Sequence, residues 1–242
     1  PRYSSSAASD VYKRQEIEVA AIVSESKEPL SVAGGNTRVL APSGSKIIST
    51  SKLSGVIDYE PGALTMIAKA GTPLSEIQKT LTSEGQCLAF DPYNWSRFIN
   101  KKGSSTIGGV FAANVSGSSR LRVGAARDFL LGIRLVDGLG NIIQNGGRVM
   151  KNVTGYDLVK LFAGSWGTLG ILTEVSFKVL PKPETEATIV IHGLNDQLAL
   201  DAMIDATATP FDVSGLAHFP KQKETMIRVC LLYTSPSPRD CQ

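Results

Sequence analysis

The stretch that decides the fold spans residues 103–174 and is rich in small residues at both ends. It opens with Gly103-Ser-Ser-Thr-Ile-Gly-Gly109, continues through Ala113-Asn-Val-Ser-Gly117 and closes with Gly164-Ser-Trp-Gly-Thr-Leu-Gly-Ile-Leu-Thr-Glu174. A similar stretch of small residues occurs earlier in the chain, at Ala33-Gly-Gly-Asn-Thr37. Side chains this small let a backbone approach a ligand closely, and they let successive N–H groups point into one concave nest. The pattern predicts a large phosphate-bearing ligand that is held mainly by backbone.

Composition narrows the class of protein. The chain has 242 residues, of which 42% are hydrophobic and 19% charged, the balance of one or two globular domains. A net charge of +3 with scattered Lys and Arg does not favour nucleic-acid binding. Three cysteines without metal-ligand spacing favour a reducing, cytoplasmic compartment. No apolar run approaches the ~20 residues of a membrane-spanning helix, and no signal peptide is visible.

The periodicity predicts an ordered series of short elements. Helices are expected over 16–26 and over 156–163. A third is expected to begin at Thr72 as its cap, with Pro73 in the first position and Leu74, Ile77 and Leu81 on one face. The segment 137–140 is expected to form a hairpin between two strands. Alternation from Ile171 to Val179 predicts a strand with one buried face. Pro181 then marks a domain boundary, beyond which a strand, a helix over 196–207 and two further strands begin a second domain that is too short to close its own core.

Both ends of the chain differ from the rest. Residues 1–15 are rich in Ser and Ala without a period, and residues 232–242 interrupt a strand-like run. We expect both segments to be disordered or of non-native origin, and the native chain to be longer.

Three common phosphate motifs fail on this sequence. The segment 103–108 has the glycine spacing of a P-loop, but Gly109 and Val110 stand where Lys and Ser or Thr are required. No Gly-x-Gly-x-x-Gly lies between a predicted strand and helix, and the Gly-x-Ser-x-Gly elbow is absent. His192 and His218 are far apart in sequence, so a metal site is not predicted.

The order of the motifs resembles a known family. A Gly-Gly-x-Thr turn is followed by Thr-Ile-Gly-Gly-x-x-Ala-x-Asn, Gly-x-x-Arg-Asp, Asp-Gly-x-Gly, Lys-Asn-x-x-Gly-Tyr-Asp-Leu and Gly-Thr-Leu-Gly-Ile-Leu-Thr-Glu. The series resembles the FAD-binding domain of the vanillyl-alcohol-oxidase (PCMH-type) flavoproteins over roughly residues 16–190. Three stretches are most similar to the FAD-binding subunits of bacterial glycolate oxidases: Phe129-Leu-Leu-Gly-Ile-Arg134, Gly146-Gly-x-Val-Met-Lys-Asn-Val-Thr-Gly-Tyr-Asp157 and Val179-Leu-Pro-Lys-Pro183.

The resemblance implies a fold and a domain division. It implies an α+β FAD-binding domain over 16–182, with subdomains 16–70 and 71–182 around one flavin. The start of a truncated α/β cap domain then follows over 183–231. Because substrates in this family meet the flavin mostly under the cap, we assign no catalytic residue.

The resemblance also implies a set of cofactor-binding residues. Asn36 departs from the family, which commonly has a third Gly there, but Asn tolerates the left-handed region that the turn needs. No His lies in either loop, so we expect noncovalent FAD. The implied residues are Gly34, Gly35, Asn36 and Thr37 in the first turn, Ser105, Thr106, Ile107, Gly108 and Gly109 in the second, Asn114 and Gly117 on the flavin side, and Gly170 and Ile171 through backbone groups.

Several of these residues also fit purely structural roles. Any single glycine also fits an ordinary turn, and Asn114 and Thr106 also fit loop caps. The pair Arg127-Asp128 is expected to fix its own loop, and Tyr156 to pack at the start of a helix.

Two functions of different classes follow from the resemblance. The first is an FAD-dependent oxidoreductase subunit that oxidises a 2-hydroxy acid such as glycolate or D-lactate and passes electrons to a partner subunit or a membrane quinone, with peripheral membrane association through its partners. The second is a non-catalytic FAD-binding subunit that serves assembly or electron relay in a multi-subunit oxidase. A nicotinamide-dependent reductase on the same fold is a third, which no motif supports.

Overall fold

A five-stranded antiparallel sheet lies at the centre of the computed structural model, which describes residues 6–38, 44–97, 103–147 and 156–231. Its strands, in chain order, are β3 (Val56–Glu60), β4 (Thr65–Lys69), β6 (Leu130–Asp137), β7 (Ile142–Gly146) and β8 (Gly170–Lys178). Their spatial order is β3-β4-β8-β6-β7. The predicted hairpin around 137–140 is confirmed, since β6 and β7 pair antiparallel with Val136 opposite Ile142.

Strand β8 is buried on both faces, so the prediction of one buried face is wrong. Leu172 and Thr173 are adjacent in sequence, point to opposite faces, and are 7% and 0% exposed. The reason is position: β8 is the middle strand, with a large core on one side and a smaller core on the other. Alternation predicts a half-buried strand only where one face meets water.

A helix and a two-stranded parallel sheet form the smaller core. They are α1 (Ser6–Glu25), β1 (Leu30–Ala33) and β2 (Lys46–Ser49). Glu16 anchors α1 to the central sheet, because both of its carboxylate oxygens accept from Nε of Arg134 at 2.8 Å and Oε1 accepts from Oγ1 of Thr173 at 2.6 Å. The apolar residues of this core are Val19, Val23, Ile48, Leu53, Val136 and Ile171.

Helix α1 begins ten residues earlier than the sequence predicts, at Ser6 instead of residue 16. Residues 6–15 are therefore helical, which corrects the expectation of a disordered tail for that part. Whether they are native stays a prediction. The other expected tail, 232–242, lies outside the described residues.

The larger core is closed by helices on the other face of the sheet. Helix α2 (Leu74–Ser83) buries Leu74, Ile77 and Leu81 as predicted. Thr72 does not cap it: its hydroxyl donates to the carbonyl of Lys69 at 2.7 Å, and Pro73 occupies the cap position without a side-chain bond. The two-stranded pair of β5 (Gln86–Cys87) and β9 (Leu180–Pro181) lies beyond this helix.

Four short α-helices also form; the last falls within the helix predicted over 156–163, and the other three form where no helix was expected. They are α3 (Ile107–Ala112), α4 (Arg120–Val123), α5 (Ala126–Phe129) and α6 (Leu158–Phe162). Glycines at 108 and 109 disfavour a helix by intrinsic propensity, so α3 depends on tertiary packing. Tyr156 is 91% exposed, so the expectation that it packs at a helix start is wrong.

A separate three-stranded sheet follows in the chain. Strands β10 (Thr185–His192), β11 (Val213–Phe219) and β12 (Glu224–Leu231) pair antiparallel in the order β10-β12-β11, and α7 (Asp196–Thr207) has the predicted bounds. Arg228 ties this sheet to the rest of the chain, donating to Asp91 at 2.8 Å and to Ser118 at 2.9 Å. The division at 182/183, like that at 70/71, stays a prediction. Strand β4 of the first predicted subdomain pairs with β8 of the second.

Candidate functional site: a cleft between two glycine loops

Two loops that are distant in sequence meet backbone to backbone. We call residues 34–37 the first loop and residues 103–109 the second loop. A Cβ placed on Gly35 would lie 1.4 Å from the carbonyl oxygen of Ser104, and one on Gly103 would lie 2.4 Å from the carbonyl oxygen of Gly35. These glycines are therefore required for the loops to touch, a reason that the sequence alone did not supply.

The first loop turns through a left-handed residue. Asn36 has φ 54°, which confirms that Asn can replace Gly at this turn. The side chains of Thr37 and Ser105 then join the two loops by a hydrogen bond of 3.2 Å between their hydroxyls. Both residues are buried, so this bond fixes the loops relative to each other.

The two loops differ in what their N–H groups do. Within the described ranges, the N–H groups of residues 34–37 donate to no other protein group. In the second loop, by contrast, Ile107 donates to the carbonyl of Thr72 at 2.9 Å and Gly108 to that of Ala70 at 2.8 Å. Gly109 donates to Oγ1 of Thr106 at 3.3 Å. Gly103 to Thr106 likewise donate to no other described group, but of these only Thr106 lines the cleft. Most of the free backbone donors on the described cleft wall therefore belong to the first loop.

A cleft of about 740 Å³ opens between the loops and the end of the central sheet. That volume includes space that is open to solvent. Eight of the thirteen predicted residues line it: Gly34, Gly35, Asn36, Thr37, Thr106, Gly108, Gly109 and Gly170. Two sequence-distant glycine turns and the start of β8 are therefore brought together, as the resemblance implies.

Three of the other five predicted residues lie behind the cleft wall. Ser105 accepts from the N–H of Leu74 at 2.7 Å through its carbonyl. Ile107 is fully buried in the larger core, and Ile171 is buried in the smaller one. Contact of these three with a cofactor stays a prediction.

The remaining two predicted residues hold a neighbouring loop. Asn114, with φ 49°, accepts from the N–H of Arg127 at 2.8 Å, which is the loop-cap role left open above. Gly117 packs on Asp91, where a Cβ would lie 2.2 Å from the carbonyl oxygen. Arg127 also donates to the carbonyl of Ala163 at 2.8 Å, and Asp128 accepts from the N–H of Ala125 at 2.8 Å. The expectation that this pair fixes its loop is confirmed.

Sequence reasoning missed several cleft residues. Trp166 lies in the quoted segment 164–174 but was assigned no role; it has φ 57°, is 53% exposed and donates its N–H to the carbonyl of Ala112 at 2.9 Å. The other unassigned lining residues are Val32, Ala33, Arg38, Thr50, Ala70, Ala112, Ala113, Ser165, Gly167 and Leu172. Most are small or apolar, the types that let a flat ligand lie against a wall.

Arg38 is the one ionisable side chain among the described residues that line the cleft. Its guanidinium donates to the carbonyl of Gly109 at 2.9 Å and to that of Tyr93 at 3.3 Å, so it bridges the end of the first loop to the second. Burial lowers the pKa of Arg38 to about 10. The group is still charged at neutral pH, and the cleft wall therefore carries a desolvated cation.

These features fit a dinucleotide that contains a diphosphate. Free N–H groups and a buried cation complement negative charge, and the apolar wall complements aromatic rings. Comparison with known proteins agrees: the sequence pattern of the FAD binding domain family matches residues 11–146, more than half of the chain. The chain belongs to the FAD-binding domain family. FAD is its cofactor.

Among curated proteins, the chain is similar to glycolate oxidase subunits and to a D-lactate dehydrogenase. The chain is 36% identical over 195 residues to the glycolate oxidase subunit GlcE of Escherichia coli (strain K12), covering 80% of this chain and 54% of that protein. It is 31% identical over 240 residues to the glycolate oxidase subunit GlcD of Bacillus subtilis (strain 168), covering 96% and 48%. The D-lactate dehydrogenase of Anaerostipes hadrus is 30% identical over 191 residues, covering 75% and 38%. The chain spans about half the length of the first two and less of the third.

A solved structure supports the fold. An alkyldihydroxyacetonephosphate synthase superposes with a TM-score of 0.68 at 17% identity, covering 88% of this chain and 45% of that one. Such low identity speaks for the PCMH-type fold alone. In the part of the chain that the structure describes, no helix has the length and apolar character to cross a membrane.

Proposed function

We propose that the protein is an FAD-dependent oxidoreductase subunit that oxidises a small 2-hydroxy acid of the glycolate or D-lactate type. The observation that carries this proposal is the cleft between the two glycine loops, in a chain similar to glycolate oxidase subunits and to a D-lactate dehydrogenase. When bound, FAD supplies the hydride-accepting chemistry. The protein supplies the donors, the buried cation and the apolar wall that hold it.

The sheet of residues 185–231 is proposed to be the start of a cap over the substrate. Its edge strand β10 leaves Ile189 and Val190 52% and 40% exposed, although both are apolar. An antiparallel sheet with one helix and few buried residues needs further cover to be stable. In a whole protein about twice this length, the remaining cap would give that cover and the substrate-binding residues.

A second candidate, a non-catalytic FAD-binding subunit, is favoured by one observation. Among the described residues that line the cleft, Arg38 is the only ionisable side chain. General acid–base chemistry needs a group that exchanges a proton near neutral pH, and a pKa of about 10 does not suit Arg38 to that role. In this alternative, a partner subunit carries out the oxidation, and this subunit serves assembly or electron relay.

Partner subunits are proposed in either case, because two of the similar proteins are subunits of glycolate oxidase. We propose a cytoplasmic setting, with any membrane association made through those partners. Co-purification of the native protein with further chains from the soluble or the membrane fraction tests both statements. Recovery of a lone chain at all salt concentrations would contradict the proposal of partners.

The first experiment is a visible absorption spectrum of the purified protein, repeated on the supernatant after acid precipitation. We expect a flavin spectrum that passes into the supernatant, since no described cleft residue is a His or Cys that could form a covalent link. Flavin that stays in the pellet would contradict noncovalent binding. A folded, colourless protein that takes up no added FAD would contradict the proposed function.

The second experiment separates the two candidate functions. Glycolate and D-lactate are added in turn under anaerobic conditions, and the absorbance of the bound flavin is followed. Bleaching by either acid supports the oxidoreductase. No bleaching by the acids, with full bleaching by dithionite as the control, supports the non-catalytic subunit. Bleaching by NADPH instead would support the nicotinamide-dependent alternative.

A further inference from the structure

Arg38 differs from the arginines that join distant parts of the fold, because it lacks a carboxylate partner among the described residues. Among the described residues, no Asp or Glu forms an ion pair with it, whereas Arg134 pairs with Glu16, and Arg228 with Asp91. The two undescribed segments 39–43 and 98–102, which adjoin Arg38 and the second loop in sequence, contain no Asp or Glu. No described residue, and none in these two segments, therefore balances the charge of Arg38.

The guanidinium of Arg38 also has N–H donors without an acceptor among the described residues. It carries five N–H donors, and the carbonyls of Gly109 and Tyr93 accept from two of its terminal nitrogens. Its Nε is buried and has no hydrogen-bond partner among the described residues. A buried donor without an acceptor is unfavourable, and a buried charge without a counter-charge more so. Something that fills the cleft has to satisfy both.

A phosphate oxygen meets both requirements at once. The planar guanidinium of arginine can donate two hydrogen bonds to one phosphate, and hydrogen bonds between charged partners are stronger than those between neutral ones. The free N–H groups of the first loop lie immediately before Arg38 in the chain, on the same cleft wall. The second loop offers fewer N–H donors to a phosphate, because Ile107 and Gly108 already donate to protein carbonyls.

We propose that Arg38 is a binding residue for the diphosphate of FAD and supplies the counter-charge that the backbone of the two loops lacks. The inference rests on the proposed FAD site and revises the expectation of a ligand held mainly by backbone. The two carbonyl contacts hold the guanidinium in place before the cofactor arrives. The positive charge then favours ligands with a diphosphate over flavins without one.

The test compares three ligands on the flavin-free full chain: FAD, ADP and riboflavin. ADP carries the diphosphate without the flavin, and riboflavin carries the flavin without phosphate. We expect R38Q to weaken FAD and ADP binding by about 10–100-fold, the effect of losing a charge-assisted hydrogen bond. Riboflavin binding should stay within about twofold, because it makes no such bond. Added salt should weaken ADP binding less in R38Q than in the original protein.

Two further variants keep the result interpretable. R38K keeps the charge but cannot span both carbonyls, so we expect its ADP affinity to lie between those of R38Q and the original protein. It also provides the test if R38Q does not fold. R120Q removes an exposed positive charge outside the cleft and controls for net charge; we expect it to bind all three ligands unchanged.

Three outcomes would overturn the inference. One is ADP binding by R38Q within twofold of the original protein. Another is an equal loss of affinity for ADP and riboflavin in R38Q, which would mean that Arg38 only holds the two loops together. The third is R38K binding ADP as poorly as R38Q. Failure of the original protein to bind FAD at all would instead overturn the proposed function, so the two failures are distinguishable.

Discussion

The first and second loops look alike in sequence but are built for different tasks. Both join a glycine pair to a nearby Thr, and both line the cleft. The N–H groups of the first loop have no acceptor within the described ranges, whereas Ile107 and Gly108 of the second donate into carbonyls of the scaffold. A glycine pair therefore has two physical meanings here, ligand donors in one loop and close packing of the scaffold in the other. Substitutions that change stability and FAD affinity to different extents separate them.

Replacement of Gly35 by Ala is expected to have the largest effect. The added Cβ would lie 1.4 Å from the backbone oxygen of Ser104, so the loops must separate. We expect the free energy of unfolding to fall by about 3 kcal/mol and FAD affinity to fall more than tenfold. Urea unfolding of the flavin-free protein and a flavin titration measure the two quantities.

A matched control for Gly35 is Gly138, where an added Cβ meets nothing within 4 Å. We expect Gly138→Ala to change neither stability nor affinity beyond error. Unchanged stability in Gly35→Ala would mean that the loops do not touch as described.

Replacement of Gly108 by Ala tests the packing task of the second loop. Its Cβ would lie 2.5 Å from Cβ of Ala70 and 2.7 Å from the carbonyl oxygen of that residue. We expect a loss of about 2 kcal/mol in the free energy of unfolding, partly offset by the better helix propensity of Ala. FAD affinity should fall less than in Gly35→Ala, since the donors of the first loop are untouched. Affinity lost without stability would reverse our assignment of tasks.

Removal of the Thr106 hydroxyl has a smaller expected effect. Thr106 caps α3 by accepting from the N–H of Gly109, and it lines the cleft. Thr106→Ala should lower the free energy of unfolding by about 1 kcal/mol, as for other N-cap losses. Thr106→Ser keeps the hydroxyl and should restore most of that stability in the same urea experiment. Equal stability of the Ala and Ser variants would show that the cap is not used.

Much of the fold could be predicted from local signals. Helix α7 has the predicted bounds, and α2 buries the predicted face, because caps, prolines and apolar spacing act within a few residues. The burial of β8 on both faces could not be predicted, since its neighbours are set by sheet order. The short α3 was also missed, because tertiary packing overrides two glycines.

The site divides in the same way. The first loop and the glycines of the second could be predicted, since backbone demands leave a mark in residue type. Arg38 could not, because nothing local distinguishes a cation in the cleft wall from one on a solvated surface. The shielding of its guanidinium and its contact with Gly109 come from a loop 71 residues away in sequence. Roles that depend on such contacts need the structure.

The smallest expected effect is that of Asn36→Gly, which is compared with Asn36→Ala. The φ of 54° at Asn36 costs Gly no strain, is tolerated by Asn, and is unfavourable for Ala by about 1 kcal/mol. Asn36→Gly should therefore keep the free energy of unfolding within about 0.5 kcal/mol and FAD affinity within twofold, because relief of strain offsets the greater freedom of the unfolded chain.

Asn36→Ala should lose about 1 kcal/mol and, more tellingly, FAD affinity, since leaving the left-handed region turns the neighbouring N–H groups away from the cleft. The second loop supplies the contrast. The N–H groups of Ile107 and Gly108 are already engaged, so the loss of about 1 kcal/mol in Thr106→Ala should leave affinity nearly unchanged. If Asn36→Ala and Thr106→Ala lost affinity equally, the free donors of the first loop would not be what binds the diphosphate.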